Sequence, residues 1–108
     1  MKIREIVRAI NNLELGITAI YGYSDTKENG IYVIDTLVKD ITKHNKEERI
    51  QILICMTKVE NSYLKIRELA EKIKKKLDEM GCYSISMHYV GEYQNKHNYS
   101  INLSIGGI

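Results

Sequence analysis

Tyr99-Ser100-Ile101-Asn102-Leu103-Ser104-Ile105 sets Tyr99, Ile101, Leu103 and Ile105 on one side of an extended chain and Ser100, Asn102 and Ser104 on the other. Such a period of two marks a β-strand with one face toward a core and the other toward water or a partner. Just upstream, Tyr83, Ile85, Met87 and Tyr89 alternate with Ser84, Ser86, His88 and Val90, and Gln94 to Asn98 reads as the turn that joins two strands into a closing hairpin. Further back the period changes. Ile66, Leu69, Ala70, Ile73, Leu77 and Met80 recur at helical spacing, with Asn61 or Ser62 as the cap at the start and Gly81 as a left-handed stop. On the exposed side of this helix, Glu68 with Lys72 and Glu71 with Lys75 stand four apart in the favourable order.

Before that helix, Ile50, Ile52, Ile54 and Met56 share the face of a third strand. Ile31 to Val38 is apolar on both sides, with Ile31, Val33 and Leu37 on one and Tyr32, Ile34 and Val38 on the other. A strand of this kind is either central and covered twice, or turns one face to another subunit. The polar connection Lys39 to Glu48 joins the two as a hairpin, long enough for its tip to leave the domain. Ile17 to Tyr23 is β-branched and aromatic and ends in a polar stretch closed by Asn29-Gly30, a strand and then a loop. At the start, Ile3, Ile6, Val7, Ile10 and Leu13 make the apolar stripe of a short helix, and Gly16 can stop it.

The order α-β-β-β-α-β-β predicts an α+β fold, a mostly antiparallel sheet of about five strands with two helices packed on one face. The 108 residues, 44% of them hydrophobic, make one domain on length alone, large enough to bury a core without a disulfide or metal. Cys55 and Cys82 read as reduced core or near-core residues. No run approaches the roughly 20 apolar residues of a membrane span, and Lys2-Ile3-Arg4-Glu5-Ile6 carries no apolar signal region, so a soluble protein made in the cytosol is expected. A formal net charge of +2 leaves no concentrated basic footprint for nucleic acid or an anionic membrane.

Reactive constellations do not emerge. None of His44, His88 and His97 has a second histidine or a cysteine at zinc spacing, and each is read as solvent-exposed and non-catalytic. Cys82 and His88 on one strand stand about 20 Å apart, too far for a nucleophile and its base. Gly22 and Gly30 are isolated, so no phosphate loop is formed. Asp35 is the only carboxylate inside an apolar strand and reads as an edge residue or half of an interface ion pair. The expectation is therefore no catalytic residue, no metal and no cofactor.

These residues and their order resemble the tail terminator and tail-completion proteins of long-tailed bacteriophages, a minor capsid-like family. The resemblance runs through the helix Lys2 to Leu13, the strand ending Ile20-Tyr21-Gly22, the apolar Ile31-Tyr32-Val33-Ile34, and the charged hairpin into Arg49-Ile50-Gln51-Ile52-Leu53-Ile54. It continues through the helix Leu64 to Met80 and the closing hairpin Tyr89-Val90-Gly91-Glu92-Tyr93-Gln94-Asn95. The chain departs from the family in being short and in lacking a proline before Ile31. The resemblance implies a non-enzymatic virion protein of the tail and neck region, made in the host cytoplasm. It also implies a homohexameric ring that caps the tail tube and meets neck or connector proteins, with no membrane partner.

On this reading the subunit or tube contacts fall on the run Ile31 to Val38, with Ile31, Val33, Asp35 and Leu37 as its candidates, and on the hairpin Lys39 to Glu48, with Lys43, His44 and Lys46. The alternative is a small nucleic-acid-binding or inhibitor module of a mobile element, using the Lys-rich helix 62-80. There Lys65, Arg67, Lys72, Lys74, Lys75 and Lys76 are interleaved with Glu68, Glu71, Asp78 and Glu79, the texture of a solvated face. A thiol enzyme built on Cys55 or Cys82 is the remaining rival.

Overall fold

The structure, a computed structural model, describes residues 2–24, 29–40 and 46–107. Its elements are helix α1 (Ile3–Asn12), strands β1 (Ala19–Tyr21), β2 (Gly30–Asp40) and β3 (Lys46–Thr57), helix α2 (Ser62–Glu79), and strands β4 (Tyr83–Tyr93) and β5 (Lys96–Gly107). The strands form one sheet in the spatial order β1-β2-β3-β5-β4. This α+β sheet is mixed: three of its pairings are antiparallel, in line with the expectation of a mostly antiparallel sheet, and at its first edge β1 runs parallel to β2. Parallel neighbours ordinarily need a crossover of a dozen or more residues. Here β1 is only 3 residues long, so the chain returns about 10 Å and residues 22–29 suffice.

β5 inserts between β3 and β4 and is antiparallel to both. The register aligns the core phase across the sheet: Val33 opposes Ile52, and Ile52 opposes Ile101, which opposes Met87. Both helices lie over that phase, α1 on β1 and β2, α2 on β3, β5 and β4. Ile6 and Ile10 from the first, and Ile66, Ala70, Ile73 and Leu77 from the second, join Ile50, Ile52, Ile54, Ile101 and Ile105 in a single buried cluster. At about 25 cal/mol per Å², burying each of the isoleucine and leucine side chains contributes on the order of 2 kcal/mol.

Asn11 ties α1 to the sheet. Its side chain donates to the Ala19 carbonyl at 3.0 Å and accepts from the Ala19 N–H at 2.7 Å, supplying both hydrogen bonds of a strand neighbour. The start of α2 departs from expectation. Asn61 takes a left-handed conformation without a side-chain cap, while Ser62 is buried and accepts the Val59 N–H through Oγ at 3.1 Å. Gly81 is left-handed as expected, at φ +87°. The last turn is tighter than Gln94 to Asn98: Gln94 and Asn95 alone make it, both at positive φ, the signature of a type I′ hairpin.

The face opposite the helices is quieter than a solvent face and less apolar than a core. Gln51 donates to Ser100 Oγ at 3.0 Å, Asn102 donates to the same oxygen at 3.2 Å, and Ser100 and Ser104 are buried among these neighbours. Tyr32, also buried on this face, lies over Gly30, where a methyl group would come within 2.5 Å of its hydroxyl, and is flanked by Tyr23 at 4.9 Å between ring centroids. The doubly apolar strand is thus covered by α1 on one side and partly by tyrosine rings on the other.

Candidate interaction surface

β4 last pairs with β5 at Tyr83 and Ser104, yet β3 and β5 stay paired to Lys46 and Gly107, and β2 and β3 to Asp40 and Lys46. Three strands therefore run on as an arm from the two-helix body, extending about 13 Å past Ile50. The molecule measures 49 × 24 × 21 Å along its principal axes.

The arm begins at a β-bulge between Asp35 and Leu37. The extra residue, Thr36, donates its hydroxyl to the Arg49 carbonyl at 3.1 Å, satisfying an acceptor at the disturbed ladder. One residue's slip reverses the faces downstream. Val38 opposes Glu48, in phase with Ile50, so it returns to the side of Ile31 and Val33 instead of the side of Tyr32 expected from strict alternation. No helix reaches it there: Val38 is 56% exposed, while Ile31 and Val33 are at 0%.

Asp35 stands at the base of the arm in the helix-side phase. Its Oδ2 accepts the Tyr21 hydroxyl at 2.8 Å, and its Oδ1 is buried without a partner. This hydrogen bond, the Asp35 charge and, more weakly, Glu48 raise the Tyr21 pKa above its ordinary value. Beside Tyr21 a cleft of about 720 Å³ opens along α1, with Ile3 and Val7 in its floor and Arg4 and Arg8 on its rim. Among the described residues neither arginine forms an ion pair.

The expected contact residues divide accordingly. Ile31 and Val33 belong to the chain's own core and offer no surface in this conformation. Asp35 lies at the arm's base, tied to Tyr21. Lys43 and His44 lie outside the described residues, as do the side chains of Leu37 and Lys46. Val38, within the run expected to make contacts, lies on the other side of the strand from the one expected; Tyr21, Arg4 and Arg8 were not singled out by sequence, and the apolar stripe of α1 gives no sign that a cleft forms beside it.

The remaining candidates are accounted for by packing. Cys55 and Cys82 are free and buried, and burial pushes both thiols above their ordinary value, so the nucleophilic thiolate is disfavoured. Cys55 donates to Asn98 Oδ1 at 3.0 Å. His97 corrects the expectation of an exposed histidine: it is buried, its Nδ1 is 2.7 Å from the Tyr89 hydroxyl, and the Tyr63 ring packs edge-on to both. His88 is exposed, and His44 is outside the described residues. Among the described residues no group of three or more His, Cys, Asp or Glu could hold a metal, and no helix is long and apolar enough to cross a membrane.

On α2 the expected pairs of Glu68 with Lys72 and Glu71 with Lys75 give way to Arg67–Glu71 at 3.3 Å, Lys74–Asp78 at 3.0 Å and Lys76–Glu79 at 3.9 Å, all exposed. Half the cations of this helix are thereby engaged by neighbouring carboxylates. No protein-family model matches the chain, and no curated protein matches it.

Proposed function

We propose that this chain is a structural subunit of the tail-terminator type, forming a homohexameric ring that caps a phage tail tube and joins it to neck or head proteins. The arm carries this reading. A subunit that closes a ring needs two different surfaces that meet in succession, because identical surfaces pair into dimers instead. The arm presents a projecting apolar side chain, and the body presents a recessed cationic cleft. The sheet also ends in two unlike edges: β2 from Ile34 to Asp40 on one side and β4 on the other. A role without catalysis accords with the buried, proton-retaining thiols of Cys55 and Cys82 and with His97 held against Tyr89 in packing. The ion-paired face of α2 gives the nucleic-acid reading no comparable support.

Light scattering across a range of concentrations, followed by negative-stain imaging, tests the proposal. A species of about six copies with a central hole, or a monomer that assembles on added tail tubes, is expected. A strict monomer or simple dimer that ignores tubes, and that binds DNA or RNA with a steep salt dependence lost on charge reversal of Lys72, Lys74 and Lys75, contradicts it.

A further inference from the structure

We infer that the cleft between α1 and β1 receives the arm of a second copy of this chain, with Val38 entering against Ile3, Val7 and Tyr21 and Glu48 facing Arg4 and Arg8. The inference rests on the ring reading for its purpose and on three features of the single chain for its content. The cleft has an apolar floor and a wall made by the Tyr21 ring, 62% exposed, whose hydroxyl is already held by Asp35. Its rim carries Arg4 and Arg8 one helical turn apart, and like charges at that spacing repel, so an acidic occupant is favoured over a neutral or basic one.

The arm supplies the complement. On its helix-side phase Val38 is exposed and stands opposite Glu48, which no cation neutralises among the described residues. Val38 does not fill the cleft of its own copy, since it is left in solvent there. The projection and the recess are different surfaces, neither satisfied among the described residues, so each copy can give its arm to one neighbour and receive the arm of another until a ring closes.

Charge reversal in both directions tests the pairing. Arg4→Glu with Arg8→Glu, and separately Glu48→Arg, are expected to remain folded by circular dichroism and to raise the concentration for half-assembly by about tenfold or more. Val38→Asp is expected to act in the same direction. The combination of the arginine and Glu48 reversals is expected to restore assembly, because it returns opposite charges to the contact. If the reversed variants assemble like the wild type, or if the combination fails to rescue, the docking is overturned while the ring reading stands. A wild-type chain that remains monomeric at every concentration and on tail tubes overturns both.

Discussion

The body and the arm share three strands and differ in what covers them. Within β3, Ile50, Ile52 and Ile54 occupy one phase beneath the helices; earlier in the same phase stand Lys46 and Glu48. The backbone ladder crosses this border unbroken, pairing Ile50 with Leu103 and Glu48 with Ile105 alike. Burial of large side chains follows it on β5 as far as Ile105, at 1% exposed, but on β2 is lost at Val38, at 56%. Because a hydrogen bond in a solvated strand contributes little net free energy, the arm is held by the body it extends rather than by contacts of its own. Val38 is consequently free to serve a contact outside the chain, whereas Ile105 and the body side chains are committed to the fold.

Truncation of core and arm residues separates the two most widely. Ile52→Ala, at the centre of the sheet, is expected to lower stability by about 2 to 5 kcal/mol in urea unfolding, whereas Val38→Ala costs about 0.5 kcal/mol or less. Equal losses would mean that the arm is part of the core. Asn11→Ala removes both hydrogen bonds to Ala19 and is expected to cost about 1 to 3 kcal/mol, with the loss of amide protection concentrated in β1. Gly81→Ala has open space for its methyl but places alanine at φ +87°, so a loss of about 1 kcal/mol through backbone strain alone is expected.

The smallest effect is the dependence on pH. Cys55 and Cys82 keep their protons above the ordinary value of 9.0 when folded, so the unfolded chain releases protons first as pH rises. Their contribution is fully present below that value and is lost as pH climbs through the raised folded values. A urea midpoint lower at about pH 10 than at about pH 8, with a shallower fall in the Cys55→Ala/Cys82→Ala variant, is the expected result.

Sequence period revealed α2, the central strands and the core residues along β3 and β5, because burial on one side imposes a repeat that the residues themselves display. It missed what arises between elements. The parallel pairing of β1 depends on how short that strand is, and the run Ile17 to Tyr23 gives no sign that only three of its residues pair. The bulge at Asp35 and Leu37 reverses the faces of β2 without a glycine to announce it, which is why Val38 was placed on the wrong side. The Gln94-Asn95 turn likewise uses positive φ at two non-glycine residues, so the hairpin looked longer-looped than it is. The cleft at Arg4 and Arg8 exists only once β1 lies beside α1, and no local pattern encodes that.

Hydrogen exchange followed by mass spectrometry at several protein concentrations tests most directly whether the body folds and the arm assembles. The account predicts that amides of Ile50 to Met56 and Tyr99 to Leu103 are protected at every concentration, whereas those of Thr36 to Asp40 and Lys46 to Arg49 exchange rapidly when dilute and become protected as copies associate. Arm and body amides that exchange alike, independent of concentration, would contradict it.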